Sequence, residues 1–279
     1  MNTRTRIAAV LAVLAVVVAT AVPATAAADE VPGLPVMLGL GDSWTYGQGA
    51  TDPATGGYFA VANGTLQQEL DCLPAESDNA ADGCKHLQQH NIARPALPGV
   101  PGVTTDAVIA EQLPVVVPML ATRNGDDNPR NDVEVVYLSA GGNDISTPII
   151  QACVLIDDPQ LCNQTVAERF GHVAVNMHAI LASLRAAAGP DTPIVLVTYD
   201  NPIRYCNLGA IPGAADLGDL LVFQLDQIYR AVAANYDVTV ATTFGALDDP
   251  TDWVGGADCL HPTDSGHAKV AAIAASAAG

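Results

Sequence analysis

A serine and a histidine at opposite ends of the chain have the surroundings that nucleophilic chemistry requires. Ser43 ends a Gly-Asp-Ser segment in a glycine-rich turn, directly after an apolar run. His261 stands near the C-terminus, three residues after Asp258. A serine hydroxyl becomes a nucleophile when a histidine accepts its proton, and a carboxylate on the second ring nitrogen fixes the histidine tautomer. These three residues therefore form a candidate triad for acyl transfer, with Asp252 as the rival carboxylate.

Two other segments offer hydrogen-bond donors for the negative oxygen that forms when an ester carbonyl is attacked. Asn143 follows two glycines after a second apolar run, and its side-chain amide is one candidate donor. Gly102 precedes a predicted helix, so its free N–H is another candidate, with Gly99 as the rival. Each segment alone is typical of ordinary turns and helix caps. Their significance depends on whether the fold brings them to Ser43.

Apolar, β-branched runs bounded by Gly, Pro and Asn predict strands, and the longer segments between them predict helices. The predicted strands are 36–40, 133–138, 193–199 and 238–240, with a weaker one at 90–93. The predicted helices are 58–70, 105–116, 165–188, 215–235 and 263–277. This alternation predicts an α/β fold, with a parallel five-stranded sheet in a three-layer α/β/α domain. Chemistry in such sheets lies at the carboxyl ends of the strands, so the candidate residues are expected to converge there.

The first 28 residues predict a secretory signal peptide. Arg4 and Arg6 precede an apolar run, and small residues at the spacing that a signal peptidase recognises follow it. A membrane anchor is the alternative, but the apolar run is marginal for a span. We therefore expect residues 1–28 to be removed and residues 29–279 to form a single domain.

The chain carries a formal net charge of −19 at pH 7. A charge of this sign repels nucleic acid and anionic membrane surfaces, so neither is expected as a partner. After the leader no stretch is long and apolar enough for a membrane span, and stable membrane insertion is not expected.

Six cysteines in an exported chain predict disulfides. None has the close Cys-x-x-Cys spacing of a zinc site, and no metal site is expected. Pairing of neighbours along the chain is the simplest of the possible arrangements. It gives the pairs Cys72–Cys84, Cys153–Cys162 and Cys206–Cys259. The third pair would hold the segment beside the candidate histidine.

These segments together closely resemble the GDSL, or SGNH, hydrolase family. The family pattern is Gly-Asp-Ser near the start, a glycine in a second block, Gly-x-Asn-Asp in a third block and Asp-x-x-His-Pro near the end. All four occur here in that order, between Gly41 and His261. The second block is the weakest match, because residues 96–101 are inserted before Gly102, and Gly99 therefore stays a rival.

The resemblance implies a flavodoxin-like sheet and a role for each matching residue. Ser43 would be the nucleophile, His261 the general base and then the acid, and Asp258 the group that orients the imidazole. The N–H groups of Ser43 and Gly102 and the side chain of Asn143 would form the oxyanion hole. Members of the family usually work without a metal or an organic cofactor.

The prediction is therefore a secreted, extracellular serine hydrolase that cleaves carboxylic esters of the lipase, esterase or phospholipase type. Its partner would be a small-molecule or lipid ester, and the protein would be a monomer. Removal of acetyl groups from polysaccharides and acyl transfer to another alcohol use the same residues and stay open as alternatives. A catalytically silent binding module is disfavoured because the chemical roles are all filled. No strong amphipathic lid is evident, which favours soluble or dispersed esters over bulk lipid.

Overall fold

A parallel five-stranded sheet forms the centre of the computed structural model, which describes residues 34–69, 87–97, 102–128, 131–156 and 158–279. The strands of this sheet are β1 (Val36–Gly41), β2 (Gln88–Asn91), β3 (Val133–Ser139), β4 (Ile194–Val197) and β5 (Thr239–Ala241). Their order is β2-β1-β3-β4-β5, and every neighbouring pair is parallel. This is the flavodoxin-like order, in which the direction of strand progression reverses between β1 and β3. The predicted fold class is confirmed.

Helices pack around the sheet. The longer ones are α1 (Tyr58–Glu69), α2 (Leu113–Arg123), α3 (Gly142–Ile150), α4 (Pro159–Ala188), α5 (Ala214–Ala233) and α6 (Asp264–Ala278). The shorter helical segments are Ser43–Tyr46, Pro53–Gly56, Thr105–Ala107, Val108–Gln112, Gln151–Leu155, Pro202–Tyr205, Asn207–Ala210 and Pro250–Asp252. α1 packs against α6, whereas α4 packs against α2, α3 and α5. These two groups of helices and the sheet give the three-layer arrangement.

Burial explains which strands the sequence reveals clearly. All six residues of β1 are buried, since the strand lies between β2 and β3 and under helices. A parallel strand covered on both faces requires apolar side chains throughout, and the run 36–40 supplies them. β2 has the sequence Gln-Gln-His-Asn and pairs with β1 alone at the edge of the sheet. An edge strand does not need an apolar run, so the strand predicted at 90–93 is displaced from its observed position at Gln88–Asn91.

The helix predicted at 105–116 is a composite of three segments. It starts at Thr105, passes through a π-helical turn at Val108–Gln112, and continues as α2 to Arg123. The last residue of the π-helical turn, Gln112, donates its amide to the carbonyl of Gly41 at 2.8 Å and accepts the N–H of Gly41 at 2.7 Å. The turn thereby satisfies both backbone groups of the residue at the end of β1.

Two helices begin where the sequence did not indicate a start. α4 begins at Pro159 rather than at residue 165, because the Asp158 carboxylate accepts the first free N–H groups as a cap. α3 begins at Gly142, where the Gly-Gly-Asn-Asp segment predicted only a turn. The turn is present, with Gly141 in the left-handed region at φ 115°, but it leads directly into a helix.

A small antiparallel hairpin, not predicted from the sequence, lies outside the main sheet. Its strands are β6 (Trp253–Gly255) and β7 (Asp258–Pro262). A disulfide joins Cys206, in the segment after β4, to Cys259 in β7. The hairpin is therefore attached covalently to the carboxyl end of the sheet.

A second disulfide, Cys153–Cys162, closes the short connection between α3 and α4. Both disulfides are among the three pairs expected from the sequence. The third expected pair, Cys72–Cys84, lies outside the described residues, as do Gly99 and the predicted signal peptide. Within the residues that the structure describes, no helix is both long and apolar enough to cross a bilayer.

Substitution of Gly41 tests how tightly the end of β1 is packed. Its φ is +116°, and a Cβ there would lie 1.9 Å from the carbonyl oxygen of Ser139. We expect Gly41→Ala to lower the free energy of unfolding by about 3 kcal/mol or more, because backbone strain and overlap add. Gly64→Ala is the matched control, since a Cβ on Gly64 meets no atom within 4 Å inside α1. Urea unfolding of the two variants measures the difference, and equal stability would contradict the packing described here.

Candidate active site

Ser43 is positioned by the turn at the end of β1. It is the first residue of the helical turn Ser43–Tyr46, and Asp42 is the N-cap, with its carboxylate accepting the N–H of Trp44 at 3.0 Å. The serine is 5% exposed. Ser43 therefore stands just past the carboxyl end of a central strand, at the start of a helical turn.

The predicted triad residues are in hydrogen-bond contact. The Nε2 atom of His261 lies 3.0 Å from the Ser43 Oγ. On the other side of the ring, Nδ1 lies 2.8 Å and 3.0 Å from the two carboxylate oxygens of Asp258. The same carboxylate accepts the backbone N–H groups of Leu260 and His261. Because Asp258 bonds to the backbone of its own loop, its orientation toward the imidazole is fixed.

These contacts set the protonation of Asp258. Partial burial alone would raise its pKa, but the hydrogen bond and charge of His261, with two backbone N–H bonds, hold the pKa below its ordinary value. Asp258 is therefore a carboxylate at neutral pH, and it can stabilise a positive charge on the imidazole.

The rival carboxylate, Asp252, is engaged elsewhere. It is fully buried and accepts hydrogen bonds from the Lys269 ammonium at 2.6 Å and from the Ser265 hydroxyl at 2.9 Å. Both donors belong to α6. Asp252 thus joins the start of the hairpin to the last helix, and Asp258 is the carboxylate that bonds His261.

Three attachments hold the hairpin over the serine. The indole N–H of Trp44, the residue after Ser43, donates to the carbonyl of Leu260 at 2.9 Å. The disulfide Cys206–Cys259 tethers the residue before Leu260. The first strand of the hairpin adds the ring of Trp253, whose centroid lies 6.0 Å from that of Trp44. The hairpin that carries the histidine is therefore fixed to the segments that follow β1 and β4.

The structure also brings the two predicted oxyanion donors together. The side-chain amide of Asn143, at the start of α3, donates one hydrogen bond to the carbonyl of Val103 at 2.9 Å. A primary amide has a second N–H, and Asn143 lines the same cavity as Ser43. A Cβ on Gly102 would lie 2.5 Å from Oδ1 of Asn143, so only glycine permits this approach. This packing gives a physical reason for the glycine.

Asp42 is a residue of the site that the sequence analysis did not single out. It is 1% exposed, and its carboxylate accepts hydrogen bonds from the Tyr199 hydroxyl at 2.6 Å and from the Ser139 hydroxyl at 3.2 Å. Burial raises its pKa to about 6, although these donors and the nearby His261 oppose the shift. The Gly-Asp-Ser segment did contain Asp42, but nothing in the sequence indicated that Tyr199, more than 150 residues away, would bind it.

A largely apolar cavity of about 630 Å³ opens beside the serine. Asp42, Ser43 and Asn143 lie in its wall, and most of the rest of the lining comes from α3, α5 and the segment after β4. Its apolar wall includes Ile145, Ile150, Tyr199, Leu221, Val222 and Leu225. The site thus combines a short polar edge with a broad apolar surface.

The sequence and fold match known proteins. A model of the GDSL-like lipase/acylhydrolase family matches residues 40–269, which include the three triad candidates and both oxyanion candidates. Among curated proteins, no sequence matches significantly.

Solved structures with the same fold include a lipase from a goat rumen metagenome, with a TM-score of 0.61, 16% identity, and coverage of 88% of this chain and 97% of that one. An extracellular lipase from Streptomyces rimosus has a TM-score of 0.55, 16% identity, and coverage of 88% and 99%. A phospholipase A1 from Streptomyces albidoflavus has a TM-score of 0.55, 16% identity, and coverage of 88% and 100%. At this identity the likeness establishes the fold.

The burial of Asp42 predicts how stability depends on pH. Its pKa is about 6 in the folded protein against an ordinary value of 3.8, so between these values the folded state holds a proton that the unfolded chain has lost. Protonated Asp42 therefore stabilises the folded protein at low pH, and this stabilisation is lost as the pH rises through about 6. We expect the wild type to lose roughly 3 kcal/mol relative to Asp42→Asn between pH 3.5 and 7. Urea unfolding of both proteins across this range is the measurement, and parallel curves would contradict the assignment.

Proposed function

The chain belongs to the GDSL-like lipase/acylhydrolase family and is an ester-cleaving hydrolase, and from this premise we propose that Ser43, His261 and Asp258 are its catalytic triad. The observation that carries this proposal is the chain of hydrogen bonds from Asp258 through His261 to the Ser43 hydroxyl, at 2.8 Å and 3.0 Å. With the proton of the imidazole on Nδ1, facing Asp258, Nε2 would be free to accept the proton of Ser43.

In the proposed reaction, Nε2 of His261 takes the proton of Ser43 as Oγ forms a bond to the carbonyl carbon of the ester. The carbonyl π-bond opens and leaves a negative oxygen. The intermediate collapses when the ester C–O bond breaks, and the imidazolium gives its proton to the departing alcohol. Water then attacks the acyl-enzyme with His261 again as base, which releases the carboxylic acid and restores the serine.

The negative oxygen of the intermediate needs fixed donors. We assign this role to the N–H groups of Ser43 and Gly102 and to the second N–H of the Asn143 amide. The helical turn that begins at Ser43 adds the favourable end of its dipole, although one turn contributes little. The close approach of Gly102 to the Asn143 side chain supports the assignment, as does the hydrogen bond from Asn143 to the carbonyl of Val103, because both bring the two donors together.

We propose esters with an apolar acyl chain as the substrates. An aliphatic chain would bury its surface against the apolar wall of the cavity, and each buried methylene contributes about 0.8 kcal/mol. A cavity of about 630 Å³ greatly exceeds what an acetyl group would fill. This lining favours fatty acyl esters over polysaccharide acetyl groups.

We further propose that the protein acts outside the cell. Residues 1–28 would be removed as a signal peptide, and residues 29–279 would form one domain that works as a monomer. Two disulfides support export, because such bonds persist in oxidising compartments.

Substitution of the proposed nucleophile and of one oxyanion donor should give different degrees of loss. We expect Ser43→Ala to lower kcat for 4-nitrophenyl butyrate by about 10⁴-fold or more, because no other group can form the acyl-enzyme. Asn143→Ala should lower kcat by roughly 10²–10³-fold, since two donors are retained. Initial-rate kinetics on the purified variants measures both values.

Ser183→Ala is the matched control, because Ser183 lies on α4 and its hydroxyl donates to the Ala179 carbonyl of the same helix. It should keep wild-type turnover. Labelling of the wild type by an organophosphate, located by mass spectrometry, should mark Ser43. Full activity of Ser43→Ala would end the proposal.

The cavity predicts a preference among acyl chains. We expect kcat/KM for 4-nitrophenyl esters to rise from acetyl to octanoyl by about two- to fourfold per methylene at first, and acetylated xylan to be a poor substrate. Val222→Trp should narrow the cavity and lower kcat/KM for octanoyl far more than for acetyl, since Val222 lines it. Val175→Trp is the control on the exposed side of α4, where Val175 is 68% exposed. An unchanged octanoyl-to-acetyl ratio in Val222→Trp would refute this choice of acyl site.

A further inference from the structure

Asp144 is a buried carboxylate that the proposed mechanism does not use. It is 4% exposed and follows Asn143 directly in α3. Both of its oxygens are bound by Thr105, one by the backbone N–H at 2.9 Å and the other by the hydroxyl at 2.6 Å. Burial raises the pKa of Asp144, and the two bonds from Thr105 oppose that shift. We call this pair of hydrogen bonds the Thr105–Asp144 clasp.

The clasp joins the two segments that carry the proposed oxyanion donors. Thr105 lies three residues after Gly102 and Asp144 lies one residue after Asn143. The same segments also meet through the bond from Asn143 to the Val103 carbonyl. The clasp differs from that single bond because it holds one carboxyl group at both of its oxygens, which constrains the orientation of the group as well as its distance.

A second layer of hydrogen bonds fixes the direction of the Thr105 hydroxyl. The side-chain amide of Asn176, in α4, donates to Oγ1 of Thr105 at 2.9 Å and to a carboxylate oxygen of Asp106 at 2.8 Å. The other carboxylate oxygen of Asp106 lies 2.7 Å from Nε2 of His172, also in α4. Since the hydroxyl accepts from Asn176, its own hydrogen is left to point at Asp144, and bonds in such a chain strengthen one another.

The same hydrogen bonds explain a cluster that resembles a metal site. Asp106, Asp144 and His172 offer ligand atoms within 4.8 Å of one another. Each of these side chains already has a protein partner, since Asp144 is bound by Thr105 and Asp106 is bound to His172. The network is complete as a set of hydrogen bonds between α3, α4 and the segment after Gly102.

We propose that Asp144 is a positioning residue, which sets the distance between the Gly102 N–H and the Asn143 amide through its clasp on Thr105. The inference rests on the proposed function, because it assigns those two groups to the oxyanion. Without the clasp, the hydrogen bond from Asn143 to the Val103 carbonyl would have to hold the segment that carries Gly102 against the start of α3, and the distance between the two donors would be less well fixed. A displacement of about 1 Å at a donor can cost about 10²-fold in rate, and the loss falls on the transition state rather than on substrate binding.

The test compares Asp144→Asn with a matched variant elsewhere. We expect Asp144→Asn to lower kcat for 4-nitrophenyl butyrate by about ten- to a hundredfold, with KM within about twofold. The affinity for an alkyl boronic acid, which forms a tetrahedral adduct on a serine, should fall by a similar factor. Asp226→Asn is the control, because Asp226 is also 4% exposed and bonds Arg230 and Thr242 in another part of the fold. It should lower Tm without changing kcat or the boronic acid affinity.

Two substitutions of Thr105 give a second test if Asp144→Asn does not fold. Thr105→Val removes the hydroxyl bond and should lower kcat and boronic acid affinity together, whereas Thr105→Ser should restore both. The inference is overturned if Asp144→Asn changes only Tm, as Asp226→Asn does, or if Thr105→Val and Thr105→Ser have equal kcat. Ser43→Ala, assayed in parallel, separates the two proposals. If it is inactive while Asp144→Asn retains wild-type kcat, only the positioning role fails; if Ser43→Ala is fully active, both fail.

Discussion

The hydrogen bond between His261 and Ser43 joins groups that are 218 residues apart, and the architecture can be understood from the need to keep it at 3.0 Å. Ser43 directly follows the first strand of the sheet, whereas His261 belongs to a hairpin that lies outside the sheet. The hairpin has few residues of its own to bury, so its position depends on attachments to its surroundings. The indole N–H of Trp44, the disulfide to Cys206 and the contact between the rings of Trp253 and Trp44 supply them. Ser43 and His261 meet because each is fixed to the carboxyl end of the sheet.

Several buried carboxylates lie at the carboxyl end of the sheet, and each one connects different elements. Asp42 accepts hydroxyls from the ends of β3 and β4, so that three neighbouring strand ends share one acceptor. Asp252 joins the hairpin to α6, and Asp144 joins α3 to the segment before α2. A buried charge is costly unless its hydrogen bonds are complete, and it therefore penalises every arrangement in which one donor has moved. Burial of these carboxylates lowers the stability of the protein, but it fixes the relative positions of the elements around Ser43.

The sequence predicted the parts of the molecule that depend on local pattern. Apolar runs identified the central strands, and the order of the strand ends placed Ser43, Asn143 and Gly102 at one edge of the sheet. The hairpin was missed because its short strands are stabilised by distant contacts rather than by their own residues. α3 was missed because two glycines indicate a turn, and only tertiary packing decides whether a helix follows. The hydrogen-bond partners of Asp42 could not be predicted for the same reason, since hydrogen bonds between strand ends produce no periodic pattern in the sequence.

The polar and apolar halves of the site have different structural origins. The residues of the proposed triad stand on the short helical turn after β1 and on the hairpin, whereas the cavity wall consists largely of side chains on α3, α5 and the segment after β4. A side chain that faces the cavity can change in size without moving the axis of its helix, because the backbone hydrogen bonds of a helix are made within the helix itself. Substitutions in the wall can therefore alter which ligand the cavity accommodates while the His261–Ser43 distance is preserved. Asn143 is the exception, since it belongs to α3 and also to the proposed oxyanion hole. Side chains on the rest of α3 can therefore vary without moving Asn143 only if a separate contact holds the start of the helix in place. The Thr105–Asp144 clasp lies at the start of α3 and is such a contact.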